Sequence, residues 1–113
     1  MFNHIYERQF DFQKRFFNPT DLKAEDRIKW TKEFILCAHQ ELAEVMNSID
    51  WKSYHLYDKD YDVSETKEEI IDVLKFVLNL AIVWGMQPNE IYDIFNKKTD
   101  ETINRLNQKN ELY

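Results

Sequence analysis

The chain has 113 residues, 21 acidic and 15 basic, for a formal net charge of −6. That length suits a single domain with one core, and the acidic balance excludes a broad nucleic-acid-binding face, which phosphate backbones require to be basic. One glycine and two prolines leave too little turn material for a sandwich or barrel, so residues 1–113 are read as one all-α domain.

Four helices follow in chain order. The first covers roughly Ile5 to Phe17 and stops before Pro19, which disfavours helix at Asn18. The second runs from about Ala24 to Ile49, with an apolar stripe of Ile28, Ile35, Ala38, Leu42, Val45 and Ile49 at helical spacing. The third starts near Thr66, which forms a capping-box pair with Glu69, and ends at Gly85. From Ile70 to Val83 it is apolar almost all round, which in so small a chain calls for a second subunit to finish the core. The fourth opens on Pro88 and continues to about Lys109.

The link between the second and third helices, DWKSYHLYDKDYDVSE, exceeds the usual connection in helical bundles and is rich in aromatic residues. The N-terminus has no apolar signal core. The longest apolar run, Phe76 to Trp84, falls short of the roughly 20 residues that span a bilayer. Cys37, the single cysteine, forms no internal disulfide. A cytoplasmic protein with no membrane segment is the expectation.

The chemistry concentrates in carboxylates. Glu41 and Glu44 stand three residues apart in ELAE on the second helix, and Glu69 and Asp72 repeat that spacing in EIID on the third. Each pair would be neighbours on a helix surface, where like charges repel. Both pairs border apolar faces, so antiparallel packing would bring four acids to one point. Desolvation and repulsion would then raise their pKa values, and a hard divalent cation such as Mg²⁺ relieves both. A solvated acidic surface is the plain alternative for either pair alone.

ELAE followed after 24 residues by EIID resembles the ExxE…ExxD signature of the all-α nucleoside triphosphate pyrophosphohydrolases, which include MazG, the dimeric dUTPases and phosphoribosyl-ATP pyrophosphohydrolase. Together with IDWKSYH, EIIDVLKFVLNLAI and IFNKKTDETINR, the pattern is most similar to the dimeric dUTPases and their short phage-type relatives. The resemblance implies a four-to-five-helix all-α chain whose core is completed by dimerisation, as a homodimer or dimer of dimers. It implies hydrolysis of a deoxynucleoside triphosphate, foremost dUTP to dUMP and pyrophosphate, with Mg²⁺ and Mn²⁺ as its substitute.

The same resemblance assigns Glu41, Glu44, Glu69 and Asp72 to the metal and Glu41 also to the attacking water. It assigns Phe76 to the deoxyribose, where it leaves no room for a 2′-hydroxyl, and Lys98 and Arg105 to the phosphates. Gln13 matches the family's use of its first helix at the base. Two positions depart from the pattern: Thr102 stands where the family has Asn, and Lys75 where dUTPases commonly have His. Both bear on which base is read.

Trp51 supplies a stacking face for a base or a plug under the long link, and Lys52 a phosphate contact or a solvated charge. Gln9 is read as surface. His4, His39 and His55 lack zinc or relay spacing, and Cys37 is read as a small core residue. A MazG-like hydrolase of dCTP, purine or damaged nucleotides is the nearest rival. A di-iron bundle lacks its Glu-x-x-His pairs; a non-enzymatic helical interaction module is the remaining alternative.

Overall fold

The computed structural model of the chain describes residues 1–49 and 62–111. These form four helices: α1, Phe2–Gln13; α2, Ala24–Asn47; α3, Val63–Val83; and α4, Pro88–Glu111. No helix is long and apolar enough to cross a membrane among the described residues. Trp51, Lys52 and His55 lie outside the described residues.

Local chemistry sets the ends. α1 begins three residues earlier and stops four residues earlier than its pattern suggests. Phe16 and Phe17 donate their backbone N–H groups to the Gln13 carbonyl as it unwinds, and Asn18 Oδ1 then accepts from the N–H and the hydroxyl of Thr20, a side-chain turn that competes with helix. α3 also starts earlier than expected, because Asp62 rather than Thr66 caps it. The Asp62 carboxylate accepts the Ser64 N–H at 2.8 Å, satisfying one of the orphan donors. The Thr66 hydroxyl meets the Ser48 hydroxyl at 2.9 Å instead. At the other end Gly85 takes φ +70°, and the N–H groups of Met86 and Gly85 bond the carbonyls of Ala81 and Ile82. That paired closure is a Schellman motif, and it needs the left-handed residue that glycine supplies.

α2 and α3 pack antiparallel. Ser48 at the end of α2 touches Thr66 at the start of α3, while Arg27 at the start of α2 donates to the Val83 carbonyl at the end of α3, at 3.0 Å. The Arg27 guanidinium also lies 5.4 Å from the Trp84 ring centre, and Trp84 Nε1 donates to Thr31. α1 crosses α3 through Tyr6, which clusters with Leu78 and Ile82 and donates its hydroxyl to the Met86 carbonyl at 2.5 Å.

Among the described residues the buried apolar set is small: Tyr6, Phe34, Leu78, Ile82 and Val83. On α2 the buried face is the aromatic one, while Ile28, Ile35 and Leu42 of the expected core stripe stand exposed. Likewise Ile70, Ile71, Leu74 and Val77 of α3 remain exposed in the single chain. With so few buried side chains, each carries much of the stability. Replacing the fully buried Ile82 by Ala is expected to cost about 2–5 kcal/mol, read as a lowered urea midpoint with unchanged slope.

Candidate active site

The antiparallel α2–α3 seam joins the two carboxylate pairs. Glu41, Glu69 and Asp72, all half-buried, each present an oxygen within 4.8 Å of the others. Glu44 does not join this group and is exposed, yet its charge still acts on Glu69. The structure thus gathers three of the four expected ligands, with the fourth at the margin. The Glu69 carboxyl is pushed above the ordinary carboxylate range, first by desolvation and then by Asp72, Glu41, Glu44 and Glu65 in turn. Three converging oxygen donors whose ionised forms repel one another suit a hard divalent cation.

That raised value carries a sign. The folded state holds the Glu69 proton more tightly than the unfolded state, so ionising this group costs stability. Relative to Glu69→Gln, the metal-free wild type should lose stability as pH rises through and above the ordinary carboxylate range. Calorimetry of both proteins in chelator would show the gap widening with pH; a pH-independent gap would contradict this origin.

Beside the acids opens a cavity of about 430 Å³, within the range of small-molecule sites. Trp30, Phe34 and Phe76 line it, together with Phe12 of α1 and Phe16 just beyond its end. Trp30 and Phe34 are stacked, centroids 5.5 Å apart at 24°, and Phe34 meets Phe76 at 6.3 Å. Phe17 braces Trp30 from behind at 4.9 Å. The polar lining is Gln9, Gln13, Lys75 and Asn79 together with Glu41 and Asp72. Gln9 Nε2 donates to Asn79 Oδ1 at 2.8 Å, although Asn79 is only 3% exposed.

A family model for dUTPase matches residues 1–112. The chain belongs to the dUTPase family. No curated protein and no solved structure matches it. As a dUTP diphosphatase of the all-α type, the chain has its acids and its cavity on one seam, with Phe76 and Gln13 both in the lining. Gln13 is buried.

Other dUTPase positions fall elsewhere. Lys98 and Arg105 are exposed on α4 and line a shallow surface hollow of their own. The Arg105 guanidinium donates to the Thr102 hydroxyl at 3.2 Å, which in turn donates to the Lys98 carbonyl. Neither basic side chain lines the aromatic cavity, where Lys75 is the sole cation among the described residues. Several lining residues were given no part in the site by the sequence, among them Trp30, Asn79 and Gln9. Trp30 precedes Phe34, Cys37 and Glu41 at helical spacing, a signal that was present. Asn79 shares the face of Glu69, Asp72 and Phe76 inside an apolar run, where an amide needs a reason. Gln9, read as surface, is drawn inward by Asn79.

Proposed function

We propose that the chain hydrolyses dUTP to dUMP and pyrophosphate in a Mg²⁺-dependent reaction, with Mn²⁺ able to substitute. The observation that carries this reading is the placement of Glu41 and Asp72, two of the three converging carboxylates, in the wall of an amide- and aromatic-lined cavity. Glu41, Glu69 and Asp72 would hold the metal, with Glu44 joining from the margin. A bound ion there neutralises phosphate charge and makes water a better nucleophile near neutral pH. Glu41 orients the water and takes its proton. Water oxygen bonds to one of the two phosphorus atoms flanking the α,β-bridging oxygen as that phosphorus loses its bond to the bridge, and the bridging oxygen departs with the other product.

At the other end of the cavity the base stacks against the Trp30–Phe34 aromatic wall, a role that Trp51 shares or cedes. Asn79 Oδ1 is engaged by Gln9, so the Asn79 amino group and the Gln9 carbonyl remain as one donor and one acceptor. That pair matches a uracil edge, whose O4 accepts and whose N3–H donates. Cytosine carries an amino donor where uracil has O4 and fits worse. Gln13 completes the reading, and Phe76 packs on the deoxyribose so that a 2′-hydroxyl has no room. Lys98, Arg105 and Lys52 contact the phosphates. The working form is a homodimer or a dimer of dimers in the cytoplasm.

A panel of dUTP, dCTP, dTTP, dATP, dGTP and UTP, each with Mg²⁺, tests this reading by pyrophosphate release. Fastest turnover of dUTP with UTP spared is expected. Preference for dCTP or a purine would favour the MazG-like reading, and no release from any nucleotide would refute both.

A further inference from the structure

We propose that Lys75 holds the α-phosphate of the nucleotide and keeps its hold on dUMP after pyrophosphate has left. This rests on the pyrophosphohydrolase reading above and adds to it the residue that sets how tightly the monophosphate product is retained.

Position on α3 sets what Lys75 can reach. Asp72, Phe76 and Asn79 give the cavity an acid, a sugar platform and a buried amide along one face of that helix. At about 100° per residue, Glu69 lies roughly 60° to one side of Asp72 and Lys75 roughly 60° to the other. Lys75 is on the flank that looks toward α1, and it lines both the cavity and the adjoining groove with Ile5, Gln9 and Phe12. Its Cα stands about 4.5 Å past Asp72 along the axis and about 6 Å short of Asn79. Long side chains on a helix lean toward its N-terminus. The lysine stem therefore carries the ammonium back toward the level of Asp72 and away from the amide that reads the base. Between a metal at the acids and a sugar on Phe76, that level belongs to the α-phosphate.

The ammonium is uncommitted. Among the described residues Lys75 makes no ion pair and no hydrogen bond. Desolvation and four acids act on Glu69, with no cation among these influences, so Lys75 is not spent on neutralising that carboxylate. Its exposure keeps the charge hydrated before a ligand binds, and no burial cost falls on the free protein. A lysine ammonium is a point donor on a flexible stem, able to follow a non-bridging oxygen as phosphorus changes its bonds. Lys98 and Arg105 line a separate hollow on α4, which leaves Lys75 as the cation that the described cavity wall offers opposite Glu41 and Asp72.

The product inherits this contact. Whichever of the two flanking phosphorus atoms takes the water, the α-phosphorus stays on dUMP. Contacts to the outer phosphates depart with pyrophosphate, whereas the one from Lys75 survives the reaction. Lys75 accordingly favours the monophosphate over the bare nucleoside.

Calorimetric titration of dUMP and of deoxyuridine, in saturating Mg²⁺, into wild type, Lys75→Gln and Lys75→Arg isolates the contact. Lys75→Gln should cut the preference for dUMP over deoxyuridine about tenfold or more and leave deoxyuridine affinity unchanged. Lys75→Arg should keep most of the preference. Removing a cation beside the acids cannot weaken their hold on Mg²⁺, so the lost preference reports the phosphate. Inhibition of dUTP hydrolysis by dUMP should weaken by the same factor, and inhibition by pyrophosphate should not. An unchanged ratio of dUMP to deoxyuridine affinity, the result for a merely solvated lysine, would overturn the assignment. Equal loss of both ligands would also overturn it and mark Lys75 as a base or packing residue. In either case hydrolysis of dUTP by the wild type would leave the pyrophosphohydrolase reading standing. Wild type that neither hydrolyses dUTP nor binds dUMP would refute that reading and the Lys75 contact together.

Discussion

Glu69→Gln should lower turnover of dUTP about 10³-fold or more while leaving the fold intact. Glu69 converges with Glu41 and Asp72, and its carboxyl bears the repulsion of four neighbouring acids. An amide keeps the size but removes the charge, so hard-cation affinity and phosphate neutralisation fall together. A loss of that size separates a ligand from a solvated surface acid, whose replacement changes rates little. In chelator the variant should be at least as stable as the wild type, because the repulsion has been relieved. Circular dichroism with steady-state kinetics reads both effects. Near-normal turnover would remove Glu69 from the ligand set.

Asn79→Leu should reduce kcat/KM for dUTP about 100-fold and collapse the preference for dUTP over dCTP. Asn79 is buried, bonded to Gln9 and part of the cavity lining. Leucine fills a similar volume, so the helix and its packing are conserved while the donor is lost. Gln9 then loses its acceptor, and the orientation of both amides against the base edge goes with it. Sites that hydrogen-bond a substrate discriminate far more strongly than apolar pockets do, which is why the ratio between bases, more than the rate alone, should respond. An unchanged ratio would mean that the base is read elsewhere.

The helices and the meeting of the acids were legible because both rest on short-range periodicity. Spacing puts Glu41 beside Glu44 and Glu69 beside Asp72, and antiparallel packing of consecutive helices follows from their connection. Which face of α2 turns inward was not legible. The aliphatic line of Ile28, Ile35 and Leu42 and the aromatic line of Trp30, Phe34, Cys37 and Glu41 lie about 130° apart around one helix, and periodicity ranks both as apolar. The chain turns the aromatic line inward, with Phe34 buried and Trp30, Cys37 and Glu41 half-buried, and leaves the aliphatic line exposed. For the same reason Trp30 escaped notice while Trp51 drew it. Gln9 was misread because its partner, Asn79, is 70 positions away, and no local pattern links them. Capping was misplaced since Thr66 and Asp62 both offer suitable oxygens, and only the geometry shows that Asp62 accepts the Ser64 N–H.

The most direct test of the account is stoichiometric Mn²⁺ binding, followed by electron paramagnetic resonance, to the wild-type chain and to Glu69→Gln and Asp72→Asn. The account predicts saturable binding by the wild type, competed by Mg²⁺ and strongly weakened in both variants. Equal Mn²⁺ binding by all three, or none by the wild type even with a nucleotide present, would contradict a metal site between α2 and α3.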